Sequence, residues 1–127
     1  MKIGEVSRLS GFSIDTLRYY EKMGLIDPPW RESGRRAYDR DILGWLNFLK
    51  ALKATGMPLA DVETYARLRR EGEITSAERR EMLERQREIV RERIEELTDC
   101  MQLLDYKIAN YVEIEARHQA ADRARNS

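Results

Sequence analysis

The sequence predicts a mainly α-helical protein: a winged helix-turn-helix head followed by a long C-terminal helix that forms a coiled coil. Two short helical patterns separated by a glycine-containing turn predict the helix-turn-helix. A segment with prolines and arginines follows and predicts a small β-hairpin, the wing. From residue 75 onward the chain has no proline or glycine and repeats apolar residues at 4-then-3 spacing, which predicts the coiled coil.

The helix-turn-helix is predicted at the start of the chain. Helical spacing marks its first helix at Ile3, Val6 and Leu9. Residues 10–13 interrupt this pattern, and Ser13 is a suitable N-cap for a second helix over residues 13–23. Gly24 favours the left-handed conformation that ends many helices, so the second helix is expected to stop there.

A wing and two further helices are predicted next. Residues 27–38 contain two prolines, which exclude helix, and residues 32–34 supply a turn between two short extended pieces. Such short strands are not stable alone, so we expect them to pack on the helices. Apolar periodicity predicts a third helix from about Asp39 to Gly56, and a fourth that begins near Pro58.

The last element is predicted to be one long dimerising helix. Thr75 and Glu78 match a capping box at its start. A narrow apolar stripe on so long a helix needs a partner, and a second copy of the chain is the simplest one. The predicted dimerisation residues are Leu83, Val90, Ile94, Leu97, Met101, Leu104, Ile108 and Tyr111. The domains are therefore predicted as a head over 1–70, a connector over 71–76, a coiled-coil helix over 77–115 and a frayed tail over 116–127.

Composition and charge limit the class of protein. No apolar run approaches the ~20 residues that cross a bilayer, and the first residues lack the apolar core of a signal peptide, so we expect a cytoplasmic protein. The single cysteine, Cys100, excludes an internal disulfide and a thiolate metal cage built from one chain. Residues 1–70 carry 13 Lys and Arg against 9 Asp and Glu, whereas residues 71–127 carry 10 against 14. A basic head on an acidic arm weakly indicates a polyanionic partner.

Several sequence blocks together form a specific pattern. They are Ile3-Gly4-Glu5-Val6, the run Thr16-Leu17-Arg18-Tyr19-Tyr20-Glu21-Lys22-Met23-Gly24-Leu25-Ile26, Gly34-Arg35-Arg36-Ala37-Tyr38, residues 46–56 and the long helix behind them. This pattern resembles the family of the mercury-resistance regulator, MerR. The resemblance covers roughly residues 1–115. It implies a homodimer with an antiparallel coiled coil that binds an inverted repeat in promoter DNA. In that family the dimer sits on an overlong promoter spacer and untwists it when an effector binds, so that RNA polymerase engages both promoter elements.

The second helix is the candidate recognition helix, with its N-terminal part in the major groove. Arg18 is the leading candidate, because its planar fork can bind guanine or phosphate bidentately. The wing arginines are expected to grip the DNA backbone or the minor-groove edge, and the resemblance implies a phosphate-side role for Tyr38. The candidate DNA-binding residues are Ser13, Thr16, Arg18, Tyr19, Tyr20, Arg35, Arg36, Tyr38, Lys50, Lys53 and Arg67, with Arg69 and Arg70 as weaker additions.

Each candidate has a structural alternative. Ser13 can serve as a helix cap alone, and the wing arginines can form a solvated charge cluster. Tyr19 and Tyr20 point about 100° apart on a helix, so one is expected to pack inward and the other to face DNA. The residues leave both assignments open, and the resemblance favours Tyr19 on the DNA side. Leu17 is expected in the core.

The sensor function is the least defined part of the sequence. The pattern is most similar to the family's aldehyde- and electrophile-responsive branch, which senses through a cysteine in helix three, but Ala51 stands at that position. Metal-sensing members carry cysteines around the dimer helix that this chain lacks, and His118 is alone in the predicted tail, so no metal or cofactor is expected. Cys100 lies beside the apolar seam, where oxidation could cross-link the dimer; a small packing residue is the alternative.

Two other functions compete with a promoter-binding regulator. A coiled-coil adaptor whose head binds another protein would explain the long helix and the zero net charge, but not arginines on a wing beside a helix-turn-helix. An enzyme is not expected, because the sequence shows no paired nucleophile and histidine, no phosphate-binding glycine loop and no metal-ligand cluster.

Overall fold

The computed structural model describes residues 1–27, 29–32 and 34–126, with only the backbone of residues 31, 32, 35 and 36. The elements in chain order are α1 (Ile3–Ser10), α2 (Ile14–Lys22), β1 (Trp30–Glu32), β2 (Arg35–Ala37), α3 (Ile42–Ala54), α4 (Leu59–Glu71), a 3-10 turn (Glu73–Thr75) and α5 (Ser76–Asn126). This order confirms the predicted winged helix-turn-helix followed by a long helix. In the described part of the chain, no helix is both long and apolar enough to span a membrane.

The chain divides into two compact units, a head over Met1–Gln86 and an arm over Arg87–Ser127. This compact head is longer than the predicted head over 1–70, since it also includes the predicted connector over 71–76 and the first turns of α5. The reason is packing, because Met82 and Leu83 of α5 are partly buried against the hydrophobic core of the head.

The core of the head fixes the three-dimensional arrangement of α1 to α4. One of its members is Trp45, whose indole Nε1 donates a 2.7 Å hydrogen bond to the carbonyl of Leu25, just after α2. The Trp45 ring stacks on Tyr65 of α4 with centroids 6.0 Å apart and an interplanar angle of 8°. The buried members of the core are Val6, Leu17, Tyr20, Leu25, Ile26, Tyr38, Trp45, Leu46, Leu49, Leu52, Met57, Val62, Tyr65 and Ala66.

The ends of α2 follow the predicted signals. Ser13 is the N-cap, and its Oγ accepts a 3.1 Å hydrogen bond from the backbone N–H of Thr16. At the other end Gly24 has a φ of +79°, a conformation that costs an L side chain energy because its Cβ clashes with the backbone. A side chain at Gly24 would also meet the Arg70 guanidinium, which lies 3.2 Å from the position of an added Cβ.

The wing is a short antiparallel hairpin. β1 and β2 pair with Trp30 opposite Ala37 and Arg31 opposite Arg36. A single bridge from Lys2 to Ala37 adds the N-terminal segment to this hairpin. The turn predicted over residues 32–34 lies partly outside the described residues, because residue 33 is not among them. Gly34, at the end of this turn, has a φ of +77°. The short strands are thus supported by the rest of the head, as expected from their length.

Two predictions about α5 differ from the structure. Thr75 ends the 3-10 turn and directly precedes Ser76, the first residue of α5, and its hydroxyl donates to the carbonyls of Leu68 (2.5 Å) and Gly72 (2.9 Å). The same hydroxyl accepts from Arg79 Nε at 3.0 Å, so in the described residues its partners are these groups and not the backbone N–H of Glu78 that a capping box uses. Residues 116–126, predicted to fray, are helical. Alanines and charged helix formers without glycine or proline favour that outcome.

Candidate nucleic-acid interface

Helix α2 has one face in the core and one in solvent. Leu17 is fully buried and Tyr20 is 3% exposed, so these two residues attach the helix to the head. Arg18 and Tyr19 lie on the other side, where the Arg18 side chain is 57% exposed and Tyr19 is 55% exposed. Thr16 is half-buried at the start of this face. The exposed face therefore presents a guanidinium and a phenol side by side.

Arg18 is available to a ligand. Its nearest charged partner is Asp15, one turn earlier, with an N–O distance of 4.0 Å and an Asp15 side chain that is 97% exposed. An ion pair this open to water contributes little, so releasing Arg18 to bind a phosphate or a base has a small cost. Ser13 Oγ also donates to the Thr16 hydroxyl at 2.8 Å, so both hydroxyl groups have a hydrogen-bond partner within the helix cap.

The prediction that Tyr20 binds DNA is wrong in this structure, because the ring is core. It makes an edge-on contact with Phe12, with centroids 5.5 Å apart at 70°. Its hydroxyl accepts a short hydrogen bond from Lys53 Nζ, which also lies over the ring, 4.9 Å from the centroid. The inward tyrosine of the Tyr19–Tyr20 pair is therefore Tyr20.

The two lysines of α3 that are candidates for phosphate contact are exposed, and each also has a partner inside the head. Lys53 holds Tyr20, as described above. Lys50 Nζ donates a 2.9 Å hydrogen bond to the carbonyl of Ser10, at the end of α1, and lies 5.1 Å from the centroid of the Phe12 ring. Both lysines thus connect α3 to the helix-turn-helix, a role that the sequence pattern did not predict.

Two of the three arginines at the end of α4, Arg69 and Arg70, have partners in the segment that follows α2. Arg67 is exposed, so it remains a candidate. Arg70 donates a 2.5 Å hydrogen bond to the carbonyl of Gly24 and pairs with Asp27 at 3.7 Å. Arg69 pairs with Asp27 at 3.8 Å. Together they hold the segment that follows α2, and a phosphate contact of Arg69 or Arg70 stays a prediction, because the two side chains are 33% and 40% exposed.

Arg69 also fills one wall of a cavity of about 350 Å³ beside the wing. Its guanidinium carbon lies 4.4 Å from the centroid of the Trp45 ring, and Asp27 and Trp30 line the same cavity. The cation position over Trp45 is therefore occupied by the protein's own arginine.

The structure describes the predicted wing residues to different extents. Arg35 and Arg36 lie on β2, opposite Glu32 and Arg31, and their side chains are outside the described part of the structure. Tyr38, expected on the phosphate side, is 3% exposed and belongs to the core. Its backbone N–H donates to the carbonyl of Met1 at 2.6 Å, and its carbonyl accepts from the N-terminal ammonium, also at 2.6 Å. The prediction for Tyr38 is corrected because a buried ring offers almost no surface to DNA.

The predicted seam of α5 has few contacts within the chain after its first residues. Leu83 and Val90 are partly buried, whereas the rest of the seam is more than half exposed: Ile94, Leu97, Met101, Leu104, Ile108 and Tyr111. The predicted seam leaves out further exposed apolar residues of the arm, which are Ile89, Leu103, Tyr106, Val112 and Ile114. They lie off the single heptad stripe, and the apolar residues on the other faces of the helix are their only signal in the sequence.

The candidate sensor residues belong to different helices. Cys100 is exposed on α5, and Ala51 is exposed on α3. His118 faces Asp122 one turn later at 3.5 Å, and both side chains are at least half exposed. Among the described residues no group of three or more His, Cys, Asp or Glu side chains is arranged to hold a metal ion.

The head thus has the architecture of a winged helix-turn-helix, the class that places an exposed helix face against DNA. Two family patterns match the chain: "MerR HTH family regulatory protein" over residues 1–68 and "MerR, DNA binding" over residues 43–106. An uncharacterized HTH-type transcriptional regulator of Haemophilus influenzae is 40% identical over 108 residues, covering 84% of this chain and 79% of that protein. The chain belongs to the MerR family of DNA-binding transcriptional regulators.

Solved structures agree with this assignment. A protein from Listeria monocytogenes assigned to the MerR family matches with a TM-score of 0.88 and 36% identity, over 100% of this chain and 99% of that one. HiNmlR, a MerR family regulator lacking the sensor domain and bound to promoter DNA, matches with a TM-score of 0.79 and 35% identity, over 91% of this chain and 89% of its own.

Proposed function

We propose that the protein binds an inverted repeat in promoter DNA as a homodimer and activates transcription by distorting the promoter spacer. Each α2 enters the major groove, and each wing contacts the adjacent backbone through Arg35 and Arg36. RNA polymerase is then an indirect partner, since it engages the promoter that the dimer has reshaped. Family membership supports this mode of action, and the HiNmlR complex supports the promoter as the ligand.

The observation that carries the proposal is the division of α2 into two faces. Leu17 and Tyr20 hold the helix to the core, while Arg18 and Tyr19 are exposed next to each other on the opposite side. Arginine can read guanine through a bidentate contact, and a tyrosine hydroxyl can bond a phosphate. Because the Arg18 side chain is 57% exposed and Tyr19 is 55% exposed on this face, we assign base reading to Arg18 and backbone contact to Tyr19.

The dimer is proposed from the seam of α5. Six apolar side chains of this seam, from Ile94 to Tyr111, are more than half exposed in the single chain. Exposure of so many large apolar groups along one helix is unfavourable, and burial gains roughly 25 cal/mol per Å² of apolar surface. A second α5 covers the stripe by coiled-coil packing, so residues 77–115 act as the dimerisation helix and residues 1–70 as the DNA-binding head.

The test is binding to DNA from the protein's own upstream promoter region, by fluorescence anisotropy over a salt series. We expect tight binding that weakens steeply with salt, because each phosphate contact contributes about −0.9 to the slope of log K against log[salt]. Scrambled DNA of the same length is the control and should bind far more weakly. Absence of even the salt-sensitive, non-specific component would contradict DNA binding and favour an adaptor that binds another protein.

A further inference from the structure

Helix α2 begins with an exposed apolar residue that the core does not account for. Ile14, the first residue of α2, is 36% exposed. Among the described residues it belongs neither to the buried core of the head nor to the partly buried apolar side chains that pack against that core. Within α2 the core members are Leu17 and Tyr20. Part of the apolar surface of Ile14 is therefore open to solvent on the helix that is proposed to enter the major groove.

Ile14 lies on the same face of α2 as Arg18. The two residues are four positions apart, and side chains at i and i+4 lie one above the other on a helix. Arg18, whose side chain is 57% exposed, is the residue to which base reading is assigned. Ile14 precedes it by one turn, and the N-terminal residues of a recognition helix are the ones that contact base edges. Ile14 thus lies on the proposed DNA-facing side, at the end of α2 that enters the groove.

The other side chains at the start of α2 offer different chemistry. Ser13 Oγ donates to the Thr16 hydroxyl at 2.8 Å, so these two groups are bonded to each other. The Asp15 side chain is 97% exposed, and its negative charge is repelled by DNA phosphates. Ile14 is the apolar residue among residues 13–16. Its branched Cβ restricts χ1 on a helix, so it loses less rotamer freedom on contact than a long, flexible side chain does.

We infer that Ile14 contacts the 5-methyl group of a thymine in each half-site and is a specificity-determining residue. This inference rests on the proposed binding of α2 in the major groove. Thymine presents a methyl group on its major-groove edge, and apolar side chains recognise it there. The edges of cytosine, guanine and adenine present polar donors and acceptors instead, which an isoleucine leaves without a partner. One face of α2 then reads two bases by different chemistry, a guanine through Arg18 and a thymine through Ile14.

The test removes the methyl group from the DNA and leaves base pairing unchanged. In duplexes carrying the promoter's inverted repeat, each symmetric pair of thymines is replaced in turn by deoxyuridine, and affinity is measured by fluorescence anisotropy at one salt concentration. For wild type we expect replacement of one such pair to weaken binding by about tenfold, since burial of a methyl group contributes a factor of ~4 in each half-site. In Ile14→Ala the same replacement should cost less than about twofold, because the shortened side chain no longer buries the methyl group.

Two further variants serve as controls. Ile14→Val keeps the branched Cβ, so it should be sensitive to the same replaced pair as wild type. Ile74→Ala removes the same atoms as Ile14→Ala from a position of the head outside α2, where Ile74 is 89% exposed, and should match wild type on every duplex. Ile14→Ala itself should fold, because the residue is exposed and alanine favours helix, and circular dichroism checks this.

The results that overturn the inference differ from those that refute the proposed function. Equal losses for wild type and Ile14→Ala at every replaced pair overturn the inference, as does a wild type that no replacement weakens by more than about twofold. An equal loss of affinity by Ile14→Ala for promoter and scrambled DNA also overturns it, because Ile14 then contacts the backbone only. A wild type that binds its promoter no better than scrambled DNA refutes the proposed function, and the inference with it.

Discussion

Adjacent residues on α2 lie in opposite environments, and the proposed DNA-facing surface rests on this separation. Tyr19 is 55% exposed, while Tyr20 is 3% exposed and bonded to Lys53. The residue types are identical, so chemistry alone does not distinguish them. What distinguishes them is the ~100° step per residue of the helix, combined with which side of the helix meets Phe12 and α3.

At this scale the first prediction concerns Arg18. Replacement by alanine should weaken binding to promoter DNA by about 5- to 150-fold relative to scrambled DNA, the equivalent of ~1–3 kcal/mol for a bidentate base contact. Arg18→Lys should recover the charge but not the preference, because an ammonium lacks the planar fork. Affinities for both DNAs at one salt concentration give the measurement.

The control for Arg18 is Arg85→Ala, which removes the same charge from an exposed position of the head outside α2. Its promoter preference should match that of wild type. If Arg18→Ala instead lost affinity equally for promoter and scrambled DNA, Arg18 would contact phosphate only, and base reading would have to be assigned elsewhere.

Among the secondary-structure elements, α5 shows the largest difference between local preference and tertiary context. Local composition makes it helical from Ser76 to Asn126. The predicted capping box at its start is replaced by contacts of Thr75 with Leu68, Gly72 and Arg79. The arm has apolar residues on more than one face, of which the seam is the longest regular set.

The second prediction is that a charge in the seam separates the dimer. Leu97→Asp places a carboxylate at the centre of the seam, where pairing would bury it without a partner. We expect sedimentation equilibrium at micromolar concentration to give the 15.0 kDa mass of one chain instead of twice that mass. Leu103→Asp is the control, since Leu103 lies about 120° around the helix from Leu97 and is 70% exposed. Equal dissociation of both variants would show that the seam is assigned to the wrong face.

For the whole molecule, the orientation of the two chains decides where the heads lie. The seam from Leu83 to Tyr111 is centred on residue 97. In an antiparallel pair the two copies of Tyr111 are separated by about 28 residues along the axis, or roughly 42 Å. In a parallel pair they are neighbours. Heptad spacing is compatible with both orientations, and family membership favours the antiparallel one.

The third prediction uses this difference. In a Cys100→Ser background, Leu97→Cys should form a disulfide-linked dimer on oxidation, because position 97 lies near its own copy in the antiparallel pair. Tyr111→Cys should not, since disulfides require Cα atoms within about 7 Å. Non-reducing electrophoresis of both oxidised variants detects the cross-linked dimer. Oxidised wild type on the same gel tests cross-linking through Cys100. Efficient cross-linking at position 111 would establish the parallel orientation and contradict the proposed dimer.

The sequence by itself determined the class of fold, the order of elements and the family. Ser13, Gly24, the prolines of residues 27–38 and the heptad spacing of α5 act locally, through backbone geometry and periodicity, so their effects can be read along the chain. The same local information placed Leu17 in the core and made Arg18 the leading candidate on the recognition helix. It was also sufficient for the resemblance to the MerR family.

The tertiary structure decided which of the polar and aromatic candidates are buried and which have partners within the head. Tyr20 and Tyr38 belong to the core. Lys53, Lys50 and Arg70 are exposed, and each also bonds a group of the helix-turn-helix that lies 33, 40 and 46 residues away, respectively. Gln86 gained its partner Thr55 across 31 residues in the same way. The sequence does not distinguish a basic or aromatic residue that supports the fold from one that contacts DNA, because its charge and shape are the same in both roles. Only the packing of α3, α4 and α5 against α2 determines which group each side chain can reach.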